Sequence, residues 1–222
     1  MKRWYEDAWS LLYPFDVQCL ICKEERGMGN GSGLCATCLT KLQNCAPAAG
    51  QAGEVAAPFA YEGTARELVR LLKFHNARRA AIPLARAMVA CVKNQGPFDV
   101  LVPVPLHAKR HRERGYNQCT VLCRAMAQEM DVPVQQDWLL RTVDTPHQVG
   151  LSRAQREANV RGAFALAHPV RGNHVLLVDD VWTTGATCRA CALLLQKGGA
   201  KVTICTASLA KENETDIFSD QM

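Results

Sequence analysis

From residue 54 onward the hydrophobic positions switch repeatedly between strand-like and helix-like spacing. The run EVAAPFAYEG reads as a strand, and TARELVRLLKF as a helix opened by a capping box of Thr64 and Glu67. Helical spacing resumes over residues 82–92, where Pro83 is tolerated because it falls in the first turn. DVLVPVP is a continuous apolar run suited to a strand covered on both faces. After it, Cys119, Leu122, Cys123, Met126 and Met130 fall on one helical stripe. HVLLVDD is another buried strand, TCRACALLLQKGG a helix closed by Gly198 and Gly199, and KVTICTASLA a last strand. This alternation predicts an α/β domain, a mainly parallel sheet flanked by helices, with ligands received at the carboxyl ends of the strands.

That rule gives meaning to VLLVDDVWTTGAT, residues 175–187. Val175 to Val178 form the predicted strand, Asp179 and Asp180 sit at its carboxyl end, and the TTGAT loop turns into the next helix. Backbone amides at a helix start favour an anion; Thr183, Thr184 and Thr187 add hydroxyl donors, and Gly185 allows close approach. Two carboxylates beside such a loop accept hydrogen bonds from sugar hydroxyls. A ligand carrying a phosphate and a nearby vicinal diol, such as a 5-phosphoribosyl group, satisfies both halves. The chain has neither the Walker phosphate loop nor the glycine pattern of a dinucleotide site. Trp182 faces the ligand or packs elsewhere; the pattern does not decide.

The N-terminal region is organised by cysteines. CLIC and CATC place Cys19, Cys22, Cys35 and Cys38 as C-x2-C-x12-C-x2-C, two knuckles that present four thiolates to one tetrahedral ion. The expectation is one structural Zn2+ in a small zinc-ribbon-like module, with a dithiol switch as the competing reading. Cys45 has no partner cysteine near it in sequence. Cys91, Cys119, Cys123, Cys188, Cys191 and Cys205 fall in apolar periodic segments and read as small buried hydrophobes. APAAGQAG reads as a linker, so the expected division is residues 1–50 for the N-terminal segment and metal module and 51–222 for the α/β domain.

Composition narrows the setting. The chain has 222 residues, is 48% hydrophobic and carries a formal charge of +5, which suits an anionic ligand of any kind. The first twenty residues lack the apolar run of a secretion signal or membrane span, and Trp4, Trp9, Leu12 and Phe15 read as a face packed on the protein itself. A cytoplasmic location is expected, in keeping with eleven cysteines and no export signal.

Two basic segments complete the pattern. PLHAKRHRERGYNQ places Lys109, Arg110, Arg112 and Arg114 directly after a buried strand, where guanidinium forks can meet phosphate oxygens. The second, TPHQVGLSRAQREANVRGAF, has the polar, punctuated character of a functional loop, with Ser152 and Gln155 capping a short helix. Together with the cysteine knuckles, LVPVPLHAKRHRERGYNQ, TPHQVGLSRAQREANVRGAF and VLLVDDVWTTGAT resemble the ComF family. Those are competence-associated proteins with a type I phosphoribosyltransferase-like fold and the 5-phosphoribosyl 1-pyrophosphate (PRPP) motif.

The resemblance implies PRPP binding, with Mg2+, by Asp179, Asp180, Thr183, Thr184, Gly185, Ala186, Thr187 and Arg114. It makes Asp179 and Asp180 the candidate catalytic pair. Gly115, Asn117 and Gln118 match the pyrophosphate-side loop, and Gln148, Arg153, Arg156 and Asn159 match a lid. Relatives often carry further cysteine pairs that are missing here, so one zinc is expected. The implied role is a phosphoribosyl transferase with an unassigned acceptor, acting in natural competence at the inner face of the membrane. The alternative is a single-stranded-DNA-binding competence factor whose PRPP site is a sensor or vestigial, working beside a competence helicase and other DNA-uptake proteins. A low aromatic content of 6% weighs against stacking-based strand binding.

Overall fold

A computed structural model describes residues 18–24, 31–46, 54–143 and 162–210. The N-terminal aromatic face, the linker, and the lid positions Gln148, Arg153, Arg156 and Asn159 lie outside the described residues. The elements in chain order begin with α1 (Ala36–Gln43), β1 (Phe59–Ala60), α2 (Gly63–Phe74) and α3 (Ala81–Val92). They continue with β2 (Val100–Pro103), α4 (Ala108–Arg114), α5 (Gln118–Met130), β3 (Leu139–Arg141) and β4 (Phe164–Leu166). The last are β5 (His174–Trp182), α6 (Ala186–Lys197) and β6 (Lys201–Leu209).

Four strands form a parallel sheet in the order β1-β6-β5-β2, and β3 and β4 form a separate antiparallel pair. Because β-strand side chains alternate, β5 feeds two layers. Leu176 and Val178 join a core with α2, α3 and α5, while Val175 and Leu177 join a core with α6. The strand runs four residues beyond Val178, so Asp179 lies within the ladder, opposite Thr206. The predicted end of the strand at Val178 is therefore too early. Thr206 and Ser208 on β6 are fully buried there, and Ser208 Oγ reaches the carbonyl of Asp180 at 3.5 Å.

Three local expectations are corrected. EVAAPFAYEG forms only the two-residue β1 and an isolated bridge at Ala56, because Pro58 interrupts the ladder. Helix α2 starts one residue earlier than its capping box, with Glu62 at the N-cap; Thr64 lies inside the helix and is buried. Cys91 is exposed, since the inward stripe of α3 is taken by Leu84, Ala85, Met88 and Val92. The other five of those cysteines are buried.

Both outer strands are covered at their free edges. At β2, Leu101 exchanges hydrogen bonds with the segment after α5, donating to Pro133 O and accepting from Gln135 N, both at 2.9 Å. At β1, the N–H of Ala60 donates to the carbonyl of Cys45 at 2.6 Å. The cysteine region therefore touches the sheet directly. Cys19, Leu34, Cys35, Cys38 and Leu42 share one continuous apolar core with Leu68, Leu72, Leu84 and Met88.

Candidate functional site

The chain crosses from β1 at one edge of the sheet to β2 at the other, and then fills the centre with β5 and β6. Segments leaving the carboxyl ends of β2 and β5 consequently open side by side, as expected where strand order reverses. A cavity of about 580 Å³ lies there, lined by Arg110 and Arg114 from α4 and by Asp179, Asp180, Thr183 and Thr187 from β5 and its loop.

The two carboxylates have different surroundings. Asp179 is held from three sides: Cys119 Sγ donates to Oδ1 at 3.2 Å, Cys188 Sγ to Oδ2 at 3.4 Å, and the Asp180 N–H to Oδ1 at 2.8 Å. Burial and the neighbouring Asp180 charge raise its carboxyl to about 6, and both thiols are pushed well above their ordinary value by burial and by Asp179. Cys119 and Cys188 are thus more than filler in the core. Neutral thiols here are donors to a carboxylate.

Asp180 is 4% exposed and pairs with the buried Lys73, whose Nζ lies 2.8 Å from Oδ1. Burial opposes the Lys73 charge, but the Asp180 carboxylate outweighs it and raises the ammonium above its usual range. Oδ2 of Asp180 is buried and has no hydrogen-bond partner. A buried acceptor left open in this way is costly unless a ligand or water fills it. Removing Lys73 would strand the carboxylate, a change that costs about 3–5 kcal/mol in comparable buried pairs.

The phosphate-loop candidates divide by role. Thr183 and Thr187 line the cavity, while Thr184, Gly185 and Ala186 shape the turn. Thr184 O accepts from Arg189 at 2.6 Å, and Gly185 is the N-cap of α6 in the left-handed region, φ +74°. A Cβ at Gly185 would come within 2.6 Å of Trp182 Cη2. This also places Trp182: its ring packs over the turn with the Arg189 guanidinium 5.1 Å from its centroid, and it does not line the cavity.

The basic segment after β2 is a helix, α4, whereas the sequence suggested a loop. None of its residues is buried. Arg110 and Arg114 line the cavity; Lys109 and Arg112 do not. Gly115 ends α4 at φ +78°, and Asn117 bridges the end of β2 to α5 by donating to Val104 O and accepting from Cys119 N, both at 2.9 Å. Gln118 is buried and accepts from Arg114. Lys73, Asn76, Tyr116 and Arg141 also line the cavity without having been singled out in the sequence. Lys73 had one readable signal, a lysine on the inward stripe of α2 beside Leu68, Val69 and Leu72.

At the N-terminal end, Cys19, Cys22, Cys35 and Cys38 bring their sulfurs within 4.8 Å of one another. A tetrahedral Zn–S4 site needs sulfurs about 3.8 Å apart, and Cys22 and Cys35 stand at 3.8 Å. Burial pushes the Cys19 thiol up, but N–H donors from Cys35, Cys22 and Ile21 prevail and hold it at about 6. Burial and the adjacent sulfurs drive Cys38 to about 12. Four cysteine sulfurs so close could hold a metal ion. Cys45 stands apart, its thiol donating to Lys41 O and Glu62 O.

No helix among the described residues is long and apolar enough to cross a membrane. Residues 116–221 match the family model described as a phosphoribosyl transferase domain. The chain is 38% identical over 139 residues to DNA utilization protein YhgH of Salmonella typhi, covering 60% of this chain and 61% of that one. It is 34% identical over 145 residues to competence protein F of Haemophilus influenzae, covering 60% and 62%. It therefore spans less than two thirds of the length of these relatives. Among solved structures, adenine phosphoribosyltransferase from Saccharomyces cerevisiae aligns with 80% of this chain and 90% of its own, at 14% identity and a TM-score of 0.43. The chain is thus similar to competence and DNA-utilization proteins over about 60% of its length, and its residues 116–221 match a phosphoribosyl transferase domain.

Proposed function

We propose that the cavity binds PRPP and that the protein serves DNA utilization as a phosphoribosyl transferase. The observation that carries this reading is the open, buried Oδ2 of Asp180 at the carboxyl end of the central strand. A ribose hydroxyl donating to it would satisfy the one buried side-chain acceptor left unmet among the described residues, while Asp179 completes the acidic floor under the sugar. The 5′-phosphate would sit on the turn of residues 183–187, taking Thr183 and Thr187 hydroxyls and the first amides of α6. Arg110 and Arg114 would receive the pyrophosphate as bidentate guanidinium forks.

Such an arrangement opposes the charge that develops when the anomeric carbon parts from pyrophosphate. Negative charge grows on the leaving group beside the two arginines, and positive charge spreads over the ribose above the carboxylates. Mg2+ fits this donor set, since Asp179 and Asp180 offer the hard oxygens it takes beside substrate phosphates, and when bound it would neutralise part of the leaving charge. Zinc is the proposed ion of the four-cysteine site, where all positions are thiolate and its role would be structural.

A second ligand is favoured by one observation: α4 carries Lys109, Arg110, Arg112 and Arg114 with no residue buried. Single-stranded DNA crossing this helix would share Arg110 and Arg114 with PRPP, and a competence helicase would be the natural source of that strand. The test is a calorimetric titration with PRPP and Mg2+ on the wild type and on Asp180→Asn, repeated with single-stranded DNA present. Saturable binding that Asp180→Asn weakens at least about 10-fold, and that DNA inhibits, is the expected result. Undiminished binding by the variant would overturn the assignment of the site. Simultaneous, independent binding of both ligands would remove the shared-arginine reading.

A further inference from the structure

Two groups of His, Cys, Asp and Glu side chains among the described residues bring enough ligand atoms together to hold a metal ion. One is the four-cysteine site. The other is Cys119 with Asp179 and Asp180, whose ligand atoms lie within 4.8 Å of one another. All three residues line the cavity, so a cation that enters it can reach them.

Two packed elements fix the spacing, since Cys119 comes from the first turn of α5 and the carboxylates from β5. Asn117 holds the Cys119 backbone by accepting its N–H at 2.9 Å, and Cys119 Sγ then stands 3.2 Å from Asp179 Oδ1. Asp180 gives Oδ1 to Lys73 and keeps Oδ2, buried and without a hydrogen-bond partner, as a further donor atom. Lys73 offsets one carboxylate, so a thiolate at Cys119 leaves the group with the charge that one divalent cation neutralises. Cys188, the other thiol on Asp179, does not line the cavity and remains a donor to Oδ2 at 3.4 Å.

Sulfur beside oxygen selects the kind of ion. Mg2+ takes hard oxygens in an octahedron and gains little from a thiolate, whereas Zn2+ accepts Cys sulfur and Asp oxygen in one tetrahedron. The S–O edge of such a tetrahedron is about 3.5 Å, close to the separation of Cys119 and Asp179. We propose that Cys119, Asp179 and Asp180 form a second metal site, for a thiophilic divalent cation, and that the bound cation excludes ribose phosphates from the cavity. On binding, the Cys119 S–H bond breaks, an S–metal bond forms and the proton leaves to solvent. The ion then occupies carboxylate oxygens that a ribose would need. The metal site stands without the ribose-phosphate reading; only the exclusion rests on it.

The test uses the full chain and Cd2+, a thiophilic probe whose bonds to thiolate absorb in the ultraviolet. That absorption and the number of cations bound per chain are followed for wild type, Cys119→Ala, Cys119→Ser and Cys91→Ser, the last removing an exposed cysteine. Wild type and Cys91→Ser should each bind one cation more than Cys119→Ala. Cys119→Ser keeps a hydroxyl donor for Asp179, which guards against a misfolded alanine variant, and should lose the added absorption. Equal numbers of cations in wild type and Cys119→Ala would overturn the inference, as would loss of the extra cation in Cys91→Ser alone. Ribose 5-phosphate, which lacks the pyrophosphate that would itself chelate the ion, is then titrated by calorimetry. Its affinity for wild type should fall at least about 10-fold with Cd2+ bound, and should no longer respond to Cd2+ in Cys119→Ala. Undiminished affinity in Cd2+-loaded wild type would overturn the exclusion. Cation binding that requires Cys119, in a protein that does not bind ribose 5-phosphate at all, would uphold the metal site and end the ribose-phosphate reading.

Discussion

At the scale of single residues, Asp179 and Asp180 line one cavity at the end of β5, yet their surroundings diverge. Asp180 meets a lysine and keeps one oxygen open; Asp179 meets two thiols and a backbone N–H. Because the Asp179 carboxyl titrates at about 6 in the fold against 3.8 for an ordinary aspartate, the folded state holds the extra proton between those values. Its contribution to stability therefore grows as pH falls through about 6 toward 4, and is least favourable above 6. Chemical denaturation at about pH 7 and about pH 4.5 should show Asp179→Asn losing ground to wild type on acidification. A pH-independent difference between the two proteins would show that this carboxyl is not raised. The acid pair itself was legible in the sequence, because polar residues at the end of a four-valine-and-leucine strand have no packing reason to be there. Arg141 was not legible as a cavity residue and Lys73 only as a lysine on an apolar stripe, since the fold, not the chain's local pattern, brings both to the cavity.

At the scale of elements, the turn from β5 into α6 joins sequence and geometry most tightly. Gly185 is needed twice, once for its positive φ and once because the Trp182 ring occupies the space a Cβ would take. Gly185→Ala should cost about 1–3 kcal/mol of stability and weaken phosphate-ligand binding, as read by thermal unfolding and titration. Adding Trp182→Ala should restore part of that loss by relieving the contact while the backbone strain remains, so the pair will be non-additive. The order of strands and helices was readable from periodicity, and the parallel sheet follows from it. The misread boundaries have local causes at β1, α2 and α4. Pro58 cuts β1 short, Glu62 caps α2 without a side-chain bond, and α4 is a seven-residue helix between two loop-like ends.

At the scale of the whole molecule, the four-cysteine region and the sheet are one packed body, since Cys35, Cys38 and Leu42 lie in the same core as Leu72 and Met88. Sequence composition suggested a boundary near residue 50, yet the burial of those cysteines depends on helices beyond it. Metal removal should therefore lower the melting temperature of the entire protein in one transition, rather than release a small domain first. Thermal unfolding with and without a chelator, followed by metal analysis, would check this; a separate low-temperature step that leaves the main transition unmoved would contradict it.

The hydrogen bond from Ala60 to the Cys45 carbonyl gives the same module a different kind of importance. An uncovered strand edge is a template on which further chains can add, and short β1 would be such a template without its cover. Residues 133–135 guard the opposite side of the sheet independently. Chains that lost the fold of the cysteine region would be left with one adhesive border and one inert border. Growth from such a particle would proceed in a single direction, so disruption of the cysteine region would become a problem of solubility.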